Sequence, residues 1–267
     1  MIYRIPAFSL ICTLFLGIAT ANAHEFWLEP NTYAPKAKEE VGILMKVGQR
    51  FSGALYPYLS ERFFKFTAEQ NGAARTVEGL DGDDDPAVKL AFPEERLAIL
   101  AYHSKFFDLN YEKMAKFEKF LGDTGSDKIL ARHRAAGKPE TGIDERYYRA
   151  AKLLLNVGGN AMGEDRFTGM PLELVAERNP YGLTSGEELP VRLFYEGKPI
   201  ADILIIAFEK SNPEALQKRR TDKDGRAMIP LPTSGAWLLN AVHLIEPAPD
   251  DGVHWVSLWA SMTFERP

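Results

Sequence analysis

The chain has 267 residues, of which 45% are hydrophobic, and a formal net charge of −5 at pH 7. This length and composition allow a sizeable core in one large domain or two modest ones. The acidic balance argues against nucleic acid or an anionic membrane surface as the main partner.

Residues 1–23 have the pattern of a cleavable signal peptide. Arg4 precedes an apolar run, and Ala21 and Ala23 occupy the two positions that a signal peptidase reads. The run is too short to span a bilayer comfortably, and no second stretch approaches that length. The sequence therefore predicts a soluble periplasmic protein of about 244 residues, with a net charge near −6 and no membrane span after cleavage.

Cleavage after Ala23 would make His24 the first residue of the mature chain. Its free α-amine and its imidazole can then chelate one metal ion, which no internal histidine can do in this way. The only cysteine, Cys12, lies in the signal peptide, so a metal would be held by nitrogen and oxygen donors. The alternative is that His24 merely happens to follow the cleavage site.

Residues 24–105 are predicted to form an N-terminal β domain. Short runs of apolar, aromatic and β-branched residues alternate with turn signals, including Asn71-Gly72 as a hairpin turn. The predicted strands are 25–28, 40–47, 63–69, 74–77 and 97–103.

Residues 106–160 are predicted to form a helical insertion, because apolar residues there recur at helical spacing. One helix is expected from Phe107 to Leu121 and a second over about 127–137. Tyr147, Tyr148 and the apolar residues as far as Leu155 suggest a third.

Residues 161–267 are predicted to form a C-terminal β-sandwich. Six strand candidates occur at regular spacing, separated by turn signals. They are 172–175, 188–195, 203–208, 227–231, 237–245 and 255–264. The fold class is therefore mainly β, with an N-terminal β region, a helical insertion and a sandwich.

Three internal histidines are candidate partners for His24. His243 shares a strand face with Trp237, and such a residue is more often a hydrogen-bonded core histidine unless His24 lies beside it. His103 closes a predicted strand and His254 follows an acidic turn. His133 is left out, because it is expected to lie in a basic and exposed helix. A site of three or four nitrogen donors would suit nickel, cobalt, copper or zinc.

Two further features allow more than one interpretation. Glu25 and Glu29 either add an oxygen ligand or form the solvent-facing side of the first strand. Trp255 and Trp259 share a half-polar strand face with Ser257, Ser261 and Thr263. This face is either a sugar-stacking platform or a surface packed beneath the helical insertion. The sequence has no nucleophile elbow, H-E-x-x-H motif, phosphate loop or dinucleotide fingerprint.

Stretches spread along the mature chain resemble the family catalogued as domain of unknown function 4198. They are HEFWLEP (24–30), ERYYRAAK (145–152), GMPLELV (169–175), NPY (179–181), LPVRL (189–193), GKP (197–199), TDKDGR (221–226), AVH (241–243) and SLWASMTFE (257–265). The resemblance implies a periplasmic component related to nickel and cobalt uptake systems, with His24 as mature N-terminus and His243 on its strand. The C-terminal part also resembles immunoglobulin-like, prealbumin-like or carboxypeptidase-regulatory-like sandwiches.

These observations predict a periplasmic protein that captures a transition-metal ion or delivers it to an uptake system, without performing chemistry. Its expected metal ligands are His24 and His243, with His103 and His254 in reserve. A membrane transporter or an outer-membrane receptor would be the partner. Two alternatives stay open, namely a copper-dependent redox enzyme using the same N-terminal histidine and a metal-free module that binds a glycan or protein.

Overall fold

A computed structural model describes residues 24–267, so the predicted signal peptide, residues 1–23, lies outside the described residues. The fold is mainly β, as the sequence predicts. The strands are β1 (Glu25–Pro30), β2 (Glu40–Gln49), β3 (Ser52–Tyr56), β4 (Phe63–Gln70), β5 (Ala73–Thr76), β6 (Val88–Ala91), β7 (Leu97–Ser104), β8 (Phe107–Tyr111), β9 (Ile143–Asn156), β10 (Leu172–Ala176), β11 (Glu188–Tyr195), β12 (Lys198–Pro199), β13 (Leu204–Glu209), β14 (Gln217–Arg220), β15 (Arg226–Pro230), β16 (Gly235–Ile245) and β17 (Trp255–Arg266). The α-helices are α1 (Met114–Asp123) and α2 (Lys128–Ala135).

A nine-stranded central sheet organises the fold. Its strand order is β14-β13-β16-β17-β9-β7-β4-β5, and β8 also pairs with β9. The pairing of β17 with β9 is parallel, whereas the other pairs are antiparallel. Strands from all three predicted segments therefore pair in one sheet. A contact between β9 and β17 joins residues more than a hundred positions apart.

The two faces of the central sheet have different covers. We call the face that carries Trp259, Ser261 and Thr263 of β17 the front face, and the face that carries Leu258 and Met262 the back face. A front sheet of β1, β2, β3 and β6 packs on one part of the front face, and α1 and α2 pack on another part. A back sheet of β10, β11, β12 and β15 covers the back face.

Most predicted strands are confirmed, and so is the hairpin at Asn71-Gly72. Both turn residues have positive φ, 53° and 80°, the conformation that Asn and Gly tolerate best. Two predicted helices are present, although the first begins at Met114 because Phe107–Tyr111 is the strand β8. Neither helix is long and apolar enough to cross a membrane.

The predicted third helix is wrong, because residues Ile143–Asn156 form β9. This strand lies in the middle of the central sheet and is covered on both faces from Ala150 onward. A strand buried on both faces loses the polar–apolar alternation that identifies a half-exposed strand. The apolar residues between Tyr147 and Leu155 therefore matched a helical spacing by coincidence.

Candidate functional site

The first strand of the described chain is held across the front face by two hydroxyl groups. Ser261 Oγ donates to the carbonyl oxygen of Phe26 at 2.6 Å, and Thr263 Oγ1 donates to that of Leu28 at 2.7 Å. Both hydroxyls are buried, so they give otherwise unpaired β1 carbonyls a partner. This explains the polar residues of the β17 front face, and it fixes where His24, directly before β1, lies.

The tryptophans of the same face are packing residues. Trp255 and Trp259 are buried beneath the helical insertion, where Trp259 stacks on Phe120 with ring centroids 5.8 Å apart. Since Trp255 is 0% and Trp259 5% exposed, the pair does not form the exposed sugar-stacking platform considered above. Trp255 Nε1 donates to Nδ1 of His133 at 3.0 Å, and His133 is fully buried. The expectation that His133 is exposed is therefore wrong.

His24 is partly buried on the front face, and its Nδ1 atom has no hydrogen-bond partner among residues 24–267. Burial lowers the pKa of the imidazole, and the nearby positive charge of Arg149 lowers it further. Arg149 itself is buried, with its guanidinium near the rings of Phe26, Phe107 and Tyr147. The ring of His24 is thus held neutral at neutral pH, with a nitrogen lone pair or N–H group left unused.

The two glutamates of β1 do not form a solvent-facing row. Glu29 is buried, accepts a hydrogen bond from Trp27 Nε1 at 3.0 Å, and pairs with Lys46 and Lys210. Its oxygens are therefore committed. Burial raises the pKa of Glu25 to about 7, against the opposing effect of a hydrogen bond from the backbone N–H of Arg50 at 2.9 Å.

Glu25 lines a cleft of about 280 Å³ on the front face. The cleft lies between the start of β1, helix α1 and the strands β13, β14 and β16. Its lining combines apolar side chains with charged groups at the rim. The lining residues are Glu25, Gln49, Arg50, Tyr111, Lys116, Lys119, Phe120, Gly122, Asp123, Thr124, Ile206, Phe208, Leu216, Lys218, Asn240 and Trp259.

His243 and His103 lie on the back face, away from His24. His243 pairs with Leu258 in the sheet, and its ring contacts Tyr195 of the back sheet at 5.0 Å between centroids. His103 pairs with Ala150, and burial, with a smaller effect of Lys65, lowers its pKa to about 4. Its Nε2 atom is also buried without a partner. The thickness of the sheet separates these two rings from His24.

His254 has a structural role at the end of the sheet. Its backbone N–H donates to the carbonyl oxygen of Asp144, and its Nδ1 accepts from the backbone N–H of Asp144, both at 2.9 Å. These bonds join the first residues of β9 and β17. His254 is therefore not beside His24 either, and one of its two nitrogens is already used.

The four candidate histidines thus do not converge. Within residues 24–267, no group of three or more His, Cys, Asp or Glu side chains is arranged to hold a metal ion. What the structure offers is one histidine whose Nδ1 is unused. With a free α-amine on the same residue, Nδ1 would close a six-membered chelate ring around a metal. The other coordination positions would be open to water or to ligands from a partner.

A buried carboxyl that the sequence did not single out lies beneath the helical insertion. Glu145 is completely buried and accepts hydrogen bonds from Tyr111 Oη at 2.8 Å and from Ser257 Oγ. Burial raises its pKa to about 7, although both hydrogen bonds act in the opposite direction. Because the sequence predicts a helix that includes residues 147–155, no sequence pattern indicates that Glu145 faces the sheet interior.

Comparisons with known proteins give a family but little else. The family described as "Domain of unknown function (DUF4198)" matches residues 21–245. No curated protein matches the chain. Among solved structures, the D0-D1 domain of Intimin aligns with 11% sequence identity and a TM-score of 0.20, covering 90% of this chain and 97% of that one.

Proposed function

Because this chain belongs to the family described as "Domain of unknown function (DUF4198)", we propose its function from its own site: it is an exported protein that binds a first-row transition-metal ion through the α-amine and Nδ1 of His24. It captures the ion or delivers it to an uptake system. Nickel, cobalt, copper and zinc all accept such nitrogen donors. The ion is cargo, and the partner is a membrane transporter or an outer-membrane receptor.

The observation that carries this proposal is the unpaired Nδ1 atom of His24. Buried polar atoms are normally hydrogen-bonded, and an exception calls for an explanation such as an ion. Nδ1 is also the ring nitrogen that reaches a metal bound to the amine of the same residue. The lowered pKa of His24 supports the proposal, since a neutral imidazole is the form that coordinates.

The lack of converging side chains favours transport over a structural metal site. Structural zinc sites use four protein ligands and keep no open position. A chelate from His24 alone would leave most positions exchangeable, which suits an ion that must be passed on. His243, His103 and His254 are not part of this proposed site, because their positions in the fold place them elsewhere.

The proposal also predicts a pH dependence with two regimes. Because the pKa of His24 is lowered, its imidazole stays neutral at pH 7, and the α-amine, with an ordinary pKa of about 7.7–8.0, is the main group that must lose a proton. Affinity should fall by about tenfold per pH unit just below the amine pKa. It should fall more steeply once the imidazole also becomes protonated.

Metal content of protein purified from the periplasm tests the proposal. We expect about one ion per chain, lost in His24→Ala and retained in His243→Ala, which serves as the matched histidine control. Loss of the ion in both variants would instead support the predicted site formed by His24 and His243. The open positions would also admit oxygen, so the copper form is assayed for peroxide consumption. Peroxide turnover by the copper form would favour the alternative of a redox enzyme over metal delivery. An inert copper complex would support metal delivery.

A further inference from the structure

The cleft beside Glu25 lies in a gap between the two covers of the front face. The front sheet reaches it with β1 and the turn at Arg50, and the helical insertion reaches it with α1. Between them, part of the central sheet is left without a layer above it. At about 280 Å³ the gap is close to the lower end of small-molecule pockets, which typically begin at about 300 Å³.

The floor of the cleft carries an amide group that the described residues leave free. Asn240 is only 5% exposed, and its side chain makes no hydrogen bond to any residue in 24–267. Its position opposite Ser261 places it on the front face, and it lines the cleft. The amide atoms of Asn240 are not among the fully buried polar atoms that lack a partner, so they are accessible from the cleft and available to a ligand or water there.

Glu25 provides a second polar group at the same end. Its Oε2 accepts from the backbone N–H of Arg50, and no hydrogen bond within the described chain uses its Oε1. The lining carboxyl and the lining amide can together bind a donor group such as an ammonium. A carboxylate with one free oxygen in a partly buried position is a strong acceptor for a charged donor.

The opposite end of the cleft is positively charged. Lys218 pairs in the sheet with Ile206, and Ile206 pairs with Asn240, so the three residues form one row across neighbouring strands. The row spans two strand spacings, about 10 Å between the outer Cα atoms. Lys218 has no ion pair among the described residues. Arg50, Lys116 and Lys119 each have a carboxylate partner.

The middle of the cleft is apolar. Ile206 lies between the amide and the lysine, and Phe208, Leu216 and Phe120 complete the lining around it. Trp259 closes the inner side with its indole N–H already donated to Ser257 at 3.0 Å. This surface favours a hydrocarbon or aromatic body and offers it few polar partners.

We infer that this cleft binds a small zwitterion whose ammonium and carboxylate groups are separated by a short apolar body. The ammonium would lie against Glu25 and Asn240, the body on Ile206, and the carboxylate near Lys218. This ligand site is separate from the proposed metal chelate, because it uses none of the nitrogen atoms of His24. The cleft would make the protein a carrier or sensor of such a compound.

Isothermal titration calorimetry with para-aminomethylbenzoate tests this inference on the mature chain. The matched probes are para-toluate, which lacks the ammonium, and benzylamine, which lacks the carboxylate. We expect the zwitterion to bind at least about tenfold more tightly than either one. Equal affinities of the three probes, or no heat from the zwitterion at ten millimolar, would overturn it.

Variants then locate the site. Lys218→Gln should weaken binding of the zwitterion by about tenfold and leave that of benzylamine unchanged, since only the first has a carboxylate. Lys198→Gln removes an exposed lysine of the back sheet and should change neither affinity. Equal losses in both lysine variants would point to a nonspecific charge effect and contradict the inference.

Binding is also measured with a chelator present and in a chain carrying one extra residue before His24. Retained affinity in both is expected, and it separates this site from the metal site. If zwitterion binding required the free N-terminus or a metal, the cleft would not be an independent ligand site.

Discussion

A buried polar cluster on the back face and the polar groups near the start of β1 on the front face differ in how completely their hydrogen bonds are formed. On the back face, Lys152 Nζ is fully buried and lies 3.0 Å from Asp165 Oδ1 and 2.7 Å from Glu173 Oε1. It also donates to the carbonyl oxygen of Arg166 at 2.9 Å. Backbone N–H groups donate to both carboxylates, including that of Ala176 to Asp165 and that of Met170 to Glu173. This group is closed and leaves nothing for a ligand.

On the front face, in contrast, polar groups near the start of β1 are left without partners. The Nδ1 atom of His24 is buried without a hydrogen bond, and the amide of Asn240, which lines the cleft, makes none to the described residues. A satisfied buried network makes a fold specific, whereas unsatisfied groups near a cleft indicate where a ligand can bind. The proposed metal chelate and the cleft both lie near the start of β1, so we look for ligand binding on this part of the front face. On the back face, Nε2 of His103, whose ring packs near Phe64 and Tyr148, and Nε of Arg266 also lack a hydrogen-bond partner among the described residues.

The largest expected effect comes from opening the closed cluster of the back face. Lys152→Met would leave two buried carboxylates without their cation, which typically costs about 3–5 kcal/mol. Urea unfolding measures the loss, with Lys198→Met as the exposed control. Metal affinity of the folded fraction should not change, since Lys152 lies on the other face from His24. A stable variant would show that the cluster is not needed to hold β10 on the sheet.

The buried carboxyl of the front face should make stability depend on pH. Between about pH 4.5 and pH 7 the native state keeps the proton of Glu145 while the unfolded state has released it. The stabilisation from this protonation is fully present below about pH 4.5 and is lost as pH rises through 7. Relative to the wild type, Glu145→Gln should gain about 3 kcal/mol in unfolding free energy between pH 4 and pH 8. Parallel stability curves would contradict the raised pKa.

Loosening β1 should affect stability and metal binding together. Thr263→Val keeps the shape of the side chain but removes the donor to the carbonyl oxygen of Leu28. The free energy of unfolding should fall by about 1–2 kcal/mol. Because β1 positions His24, metal affinity should fall as well. Thr221→Val removes a hydroxyl that bonds to Ile200 and Ile203 far from β1, and it should lower stability only. Unchanged metal affinity in both variants would separate β1 from the metal site.

The smallest expected effect is a gain in affinity. Arg149 lowers the pKa of His24 through its positive charge, and the same charge repels a bound cation. Arg149→Met keeps the packing volume and should strengthen metal binding by several-fold, on the order of 1 kcal/mol. It should also raise the pKa of His24, which proton NMR measures. Weaker binding would mean that Arg149 supports the site, for example by holding an anionic ligand of the metal.

How far the sequence predicts this fold depends on how each strand is covered. β16 and β17 were recognised, and the polar front-face residues of β17 were placed correctly by alternation. β9 is not recognised from the sequence, because its buried residues do not show the polar–apolar alternation of a half-exposed strand. The short edge strand β14 was also missed, since its sequence, Gln217–Arg220, is polar and exposed on most of its length.

The candidate site was predictable only in part. The sequence indicates His24 because its chemistry follows from its position after the predicted cleavage site. That His243 faces away from it follows from the sheet register, which places His243 opposite Leu258 on the back face. A one-residue change of register would move a side chain to the other face, and no sequence pattern near β1 indicates which face of the sheet it crosses. The unpaired amide of Asn240 depends on the same long-range pairing.

The most direct test of the account compares metal affinity in two forms of the mature protein, one beginning at His24 and one carrying a single alanine before it. The added residue converts the α-amine into an amide and leaves every other side chain in place. We predict that affinity falls by about a hundredfold, equivalent to about 2.7 kcal/mol, with no change in thermal stability of the metal-free protein. Equal affinity in the two forms would contradict the N-terminal chelate and, with it, the proposed function.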